Sequence, residues 1–528
     1  MEVSLLYALC ISLFIALLMT ENYGYGYLMI SRPIFAGPLL GLIMGDVQTG
    51  LLVGASVELM YMGVLPIGGS IPPNAQIAGL IGTAFAILSG GKPEVGIVLA
   101  LPIGILAQFL IMLAWNFNIY LVHRADKHLT NGNIKQAERT HLTGLLGFFV
   151  VMFVPSFLAI YFGSEWVNGL VNAMPAWLMD GLKATSGILP AIGMAMLLKM
   201  MNFKKYWSFF LIGFVLAVYL KLDVLSVALL GLGIAASVYA LGKDKQEGAG
   251  SDFPQAAEGA ADGILSKKDL WRTFGRSFFS MTSINYERYC NLGFCYAMMP
   301  ALQKLYPDRQ QLKEAIVRHN EFFNCHPYTA NAVIGVALAL EEQKAQGKPI
   351  SGEVISSTKA ALMGPLSGIG DSVFKATFMT LFAAIGAGLS LNGNILGPIL
   401  FIVPNLVLNL GARYYGVYYG YKFGTSLILK MKQSDIIEKF VQGATIAGLM
   451  VTGAMVVNFV KISLVAEWDL SGAKIVLQEM LDKILPGLLP IALTLLFYYL
   501  LLKKKNAIYI LIVLCFVIGI LGKLLHII

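Results

Sequence analysis

The sequence predicts an all-α polytopic membrane protein: two structurally related helical halves with broken and re-entrant helices. Three observations predict it. Of the 528 residues, 57% are apolar and only 13% charged, against roughly 25% charged in a soluble domain, and mean hydropathy is +0.72. Apolar runs close to the ~20 residues that cross a bilayer as helix recur from end to end: Met1–Thr20, Val95–Trp115, Leu142–Phe162, Val224–Leu241, Gly443–Val460, Pro486–Leu502 and Ala507–Ile528. The composition breaks decisively once, at Gly242–Lys268, a stretch rich in Gly, Ala, Asp, Glu and Lys without an apolar period.

The elements follow in chain order. The first run carries Glu2 where a basic n-region would stand, so no cleaved signal peptide is expected. Two stretches of the first half, Gly37–Gly45 and Gly50–Gly69, are interrupted by glycine, proline and acidic residues. Broken helices are tolerated at membrane depth only where they are buried in protein or line a cavity, and in transporters such segments point to the substrate site. The segment Pro66–Asn74 (PIGGSIPPN) cannot be regular helix, because Pro72 and Pro73 fix φ and remove donors. Residues 242–268 cannot bury enough surface to offset their ordering entropy and read as a cytoplasmic tether. Residues 269–357 mix helical periodicity with charge and read as amphipathic helices; spans resume over 358–528. The domains are therefore 1–241, a linker 242–268, and 269–528. The string GPLLGLIMGD (Gly37–Asp46) is echoed by GPLSGIGD (Gly364–Asp371), consistent with an internal repeat.

Composition also excludes. The net charge of +8 resides in short loops, His123–Arg139, Lys267–Arg276 and Lys503–Lys505, which orients a membrane protein with those loops in the cytoplasm and does not indicate nucleic acid. Five cysteines form no CxxC pair and no metal-ligand spacing, so neither a disulfide framework nor a metal site is expected. There is no GxxxxGK[ST], HExxH or GxSxG string. No cofactor and no catalysis by this chain alone is expected.

Ionisable groups at membrane depth are candidates for function because they are costly there. In the first half these are Asp46 and Glu58, with Gln48 as a neutral neighbour, and Asp46 could equally be a helix-cap carboxylate. Ser70 and Asn74 add neutral donors and acceptors suited to a hydroxyl-rich ligand. In the second half, SINYER (Ser283–Arg288) places Asn285, Glu287 and Arg288 in one expected helical turn, and Asn324 and His326 precede the Pro327 break. Asp371 and Lys375 stand four apart on one helix face, a spacing that also suits a plain ion pair.

These strings resemble a known family. Arg32–Ile87 and Ala125–His141 resemble the membrane IIC component of the mannose-family phosphotransferase system. Ser283–Asp308, Glu314–Gly347, Met363–Phe374, Leu396–Gly424 and Ile484–Leu496 resemble its IID component. The resemblance covers nearly the whole chain apart from the linker. It implies a fused IIC–IID permease in the bacterial plasma membrane, with a mobile core and V-shaped scaffold, assembled as a homotrimer and moving a hexose or amino sugar by an elevator-like motion. It further implies phosphorylation of the sugar by a separate phosphorylated IIB protein, supplied by IIA and HPr. The sugar-contact candidates it implies are Glu58 and Asn74 with Asn285, Glu287, Asn324, His326 and Asp371. Relatives carry aspartate at Asn74, and GDPIFWGTVRP where this chain reads GDSVFKATFMT, so the sugar's identity stays open. From the residues alone two other readings compete: an ion-coupled secondary transporter binding protons or sodium at Asp46 and Glu58, and a non-transporting scaffold.

Overall fold

The computed structural model describes residues 3–64, 72–173, 175–201, 203–243, 263–424, 436–465, 467–470, 473–503 and 507–528. The expected site residue Ser70 and most of the 242–268 linker lie outside them. The described chain is helical but for one antiparallel hairpin, Glu467–Leu470 with Ala473–Val476, which the apolar pattern does not foretell. Among the described residues, six helices are long and apolar enough to cross a membrane, or seven if Leu477–Ile484 and Leu488–Lys503, bent by 77°, count as one span. The chain is an integral membrane protein.

The longest helices, Pro93–Thr130 and Ile134–Ala173, frame the first half. Inside that frame sit short ones: Pro33–Met44, Val47–Tyr61 and Ala75–Leu88. Twelve residues of helix in the first of these rise only ~18 Å, too little for a ~30 Å hydrocarbon layer. The broken-helix expectation is met here. The first two pack so closely that a Cβ added at Gly37, Gly41, Gly50 or Gly54 would collide with backbone, the small-residue packing that replaces the hydrophobic effect between helices in lipid.

In the second half, Gly352–Ile369 runs into a π-helix, Gly370–Met379, and on into Thr380–Leu391. The echoed strings therefore differ in backbone. Asp46 caps a new helix after a left-handed Gly45, whereas Asp371 lies inside the π-helix. Ser283–Arg288 is not the helical turn expected. It is a tight loop closed by a backbone bridge between Asn285 and Tyr289, within which the Asn285 side chain accepts the Arg288 N–H on Oδ1 at 2.8 Å and donates from Nδ2 to the Tyr289 carbonyl at 2.9 Å. Within 269–357, the helix Ala330–Ala345 is buried along nearly its whole length, so it packs in the protein interior and not at a surface.

The two halves meet along a polar seam. Asn118 donates to the Ile284 carbonyl at 2.8 Å, and His141 bridges Ser283 Oγ at 2.7 Å and the Phe279 carbonyl at 3.0 Å. Arg288 pairs with Asp126 at 2.9 Å, and His123 faces Glu287 at 2.9 Å. In the turn Gly24–Tyr27, the carbonyls of Gly24, Gly26 and Tyr27 are taken up by the second half. Its Gly24 carbonyl accepts from Thr282 at 2.6 Å, Gly26 from Arg413 at 2.9 Å, and Tyr27 from Asn409 at 2.8 Å and Tyr328 at 3.3 Å.

Candidate functional site

Where the short helices of the first half meet the π-helix of the second, a cavity opens with about 1040 Å³ of empty space, mouth included. Both halves line it. Asn22, Tyr23, Tyr27, Arg32, Asn74, Gln76 and Trp115 come from the first; Tyr289, Asn324, His326, Asp371 and Lys375 come from the second. Aromatic walls with a few convergent polar groups are the usual make-up of a small-molecule site.

Local chemistry explains each position. After the helix Leu5–Tyr23 the chain turns through Gly26, Tyr27 and Met29, all at positive φ (103°, 53° and 68°). For tyrosine and methionine this conformation is strained and persists only when the surroundings impose it. The buried Glu21 carboxylate imposes it by accepting the backbone N–H groups of Leu28, Met29 (3.1 Å) and Ser31 (3.3 Å). That turn brings Tyr27 and Met29 to the cavity and leads into Arg32. Arg32 is 4% exposed and donates from Nε to Glu58 Oε1 at 3.0 Å and from Nη2 to the same oxygen.

Glu58 itself does not line the cavity. It is fully buried, and its second oxygen also receives the Ile34 N–H at 3.4 Å. It sets Arg32. Asn74 does line the cavity, and it caps the helix Ala75–Leu88 by accepting the Ile77 N–H at 2.8 Å. That cap fixes the side chain directly after the Pro72–Pro73 break.

In the second half, the loop after Asn320 delivers Asn324 and His326. His326 is 2% exposed. Its Nδ1 accepts the Tyr328 N–H at 3.2 Å, so the proton sits on Nε2, which has no partner among the described residues. Burial, followed by the Lys375 and Arg413 charges, pushes its pKa well below the usual histidine range. The imidazole is neutral and offers one donor. The π-helix supplies Asp371 and Lys375, paired at 2.9 Å across one turn. π-helical turns occur often at functional sites. Gly370 opens that turn, and a Cβ there would run into the His326 side chain, so only glycine lets the loop come this close.

The remaining candidates lie elsewhere. Asp46 is a cap, accepting the Thr49 N–H at 2.9 Å and its hydroxyl at 2.6 Å, and the neighbouring Gln48 is exposed. Asn285 is fully buried and holds its own loop together, with one further bond to Asn291. Glu287 and Arg288 sit on the seam between the halves. Arg32, Asn22, Tyr23, Tyr27, Gln76, Trp115 and Tyr289 were not singled out from the sequence. Aromatic residues in an apolar helix look like core, although the pairing of buried Arg32 with Glu58 follows the rule that charges at depth find partners.

Both halves of the chain match known protein families. Residues 5–237 match the family described as the PTS system sorbose-specific IIC component, and residues 264–528 the PTS system mannose/fructose/sorbose family IID component. The chain is 41% identical over 279 residues to the PTS system mannose-specific EIID component of Escherichia coli O6:H1, covering 52% of this chain and 97% of that one. It is 35% identical over 221 residues to the N-acetylgalactosamine permease IIC component 1 of Escherichia coli K12, covering 42% and 83%. A solved chain of the mannose transporter ManYZ in complex with microcin E492 is 39% identical, with 50% of this chain and 99% of that one covered and a TM-score of 0.31.

Proposed function

The chain belongs to the mannose/fructose/sorbose family of phosphotransferase-system permeases, with a IIC and a IID component in one polypeptide, and from that premise we propose that it carries a hexose or amino sugar across the plasma membrane for phosphorylation by a separate IIB protein. The observation that carries this reading is the cavity, shared between the two components and walled by aromatic rings, amides and one neutral imidazole. Sugar rings stack on such walls, and their hydroxyls need groups that both donate and accept.

In this reading Asn74, Asn324, His326 and Asp371 bind sugar hydroxyls, Trp115 and Tyr289 receive the ring face, and Glu58 acts by holding Arg32. The bound sugar moves with the short helices in an elevator-like step while the long helices stay as scaffold. Residues 1–241 and 269–528 are the two functional units, and 242–268 is the tether that fixes their ratio at one to one. Three copies of the chain assemble together, and phosphate reaches IIB from HPr through IIA.

The test uses membranes containing this chain with IIA, IIB, HPr and the phosphoenolpyruvate-dependent enzyme that charges it, and a panel of labelled sugars. The expected outcome is phosphoenolpyruvate-dependent appearance of sugar phosphate with one or a few of them. Accumulation of unmodified sugar that collapses when the proton gradient is dissipated would instead establish the ion-coupled alternative.

A further inference from the structure

Two cations stand on the cavity wall, and each is met by a carboxylate. Arg32 is bound by Glu58, and Lys375 lies 2.9 Å from Asp371 with its ammonium 5.8 Å from the Tyr27 ring centre. A third cation, Arg413, lies just behind. Its guanidinium donates to the Ser277 and Gly26 carbonyls at 2.9 Å each, and Glu21 binds the other limb of the same turn. Arg32 and Lys375, the two on the wall, are thus each matched by a carboxylate of their own.

Neutrality bought with ion pairs has an alternative in apolar residues of the same shape, which usually stabilise a protein as well or better. The pairs therefore call for another reason. A transported sugar arrives uncharged and, in the reading above, leaves as an ester carrying nearly two negative charges. A lone guanidinium at this depth grips a phosphate through parallel hydrogen bonds, and such a grip would arrest the protein on its own product.

We propose that Glu58 and Asp371 are specificity-determining residues which silence Arg32 and Lys375, so that the cavity holds an uncharged sugar and does not retain the phosphate ester. This rests on the sugar-carrying reading. Of the two, Glu58 gives the sharper test, because an unpaired arginine keeps its charge whereas a buried lysine can shed its proton.

The experiment is equilibrium binding to the purified full chain in lipid nanodiscs, with mannose, glucose, fructose and N-acetylglucosamine and their 6-phosphates as probes. The wild-type chain is expected to bind at least one free sugar and to hold its 6-phosphate roughly tenfold more weakly or worse. Glu58→Gln is expected to hold the ester about tenfold more tightly than wild type does, the size of a modest buried charge-pair coupling. The double variant Arg32→Gln/Glu58→Gln is expected to lose that gain. Ester binding by the wild type as tight as sugar binding would overturn the proposal, and so would a folded Glu58→Gln chain with no gain. Should Glu58→Gln fail to fold, the wild-type comparison of each sugar with its 6-phosphate decides alone. Failure of every free sugar to bind would remove the sugar-carrying reading, and this one with it.

Discussion

The imidazole of His326 lies nearly flat on the ring of Phe374, with centroids 5.8 Å apart and planes 17° from parallel. Tyr27 and Tyr328 close on it edge-on, at 6.4 and 4.9 Å. The ring is fixed by packing, so its Nε2–H is a preset donor. His326→Phe keeps the packing and removes the donor. Sugar affinity should fall about twofold to tenfold, since a hydrogen bond contributes roughly 0.5–1.5 kcal/mol, and the melting temperature should fall as well, because the buried Tyr328 N–H loses its acceptor. Titration and thermal unfolding on the same preparation check both halves of the expectation. An unchanged Kd would remove His326 from the site.

Acid should destabilise the chain in two stages. His326, with its pKa lowered by burial and by Lys375 and Arg413, is neutral when folded but takes up a proton when unfolded. Its contribution is whole above the unfolded value near 6.5 and declines as pH falls below it. Glu341 is the second group. Burial alone would raise its pKa, but His319 at 2.7 Å and Arg318 at 2.8 Å bring it down to about 2. Its contribution is present above the unfolded carboxylate value and is lost as pH falls toward 2. Melting temperatures from pH 8 to pH 4 should therefore decline, first below about 6.5 and more steeply near 4.5. Glu341→Gln should flatten the lower part, and a flat wild-type profile would contradict both assignments.

Glu58→Gln leaves the Arg32 guanidinium buried without its counter-charge, which costs about 3–5 kcal/mol in comparable pairs. Arg32→Met/Glu58→Met removes both charges and should recover most of that stability while losing transport. A single variant as stable as wild type would mean that the pair contributes nothing to the fold.

The SINYER loop separates two kinds of polar contact. Arg288 and Asp126 are each about 28% exposed at their side chains, so Arg288→Ala should cost under about 1 kcal/mol. Asn285 is fully buried, bonded within the loop and at 3.4 Å to Asn291 Oδ1 at the start of the next helix, and Asn285→Ala should cost about 1–3 kcal/mol. Neither residue lines the cavity, so sugar affinity should be unchanged in both. A large affinity loss in folded Asn285→Ala would return it to the binding site.

Membrane class and the broken helices were legible because lipid leaves few options for backbone and charge. Asn74, Asn324, His326 and Asp371 were legible because polar residues beside proline and glycine breaks are conspicuous in apolar sequence, and all four line the cavity. Glu58 was legible as costly and therefore used, but not its use, since Arg32 stands 26 residues away and only the fold brings them together. Trp115 and Tyr23 were hidden by their resemblance to ordinary core. The π-helix was hidden for another reason: an i,i+4 spacing of Asp371 and Lys375 fits an α-helix equally well, and the wider turn shows only in the backbone.

The Gly24–Tyr27 turn has a consequence for biogenesis. Its carbonyls are satisfied by Thr282, Asn409, Tyr328 and Arg413, all made by the ribosome more than 250 residues later. A nascent first half must wait in the bilayer with those acceptors uncompensated until its sequel is inserted. Joining both parts in one polypeptide keeps that sequel at hand, and shortens the time during which a quality-control protease could seize an unfinished intermediate.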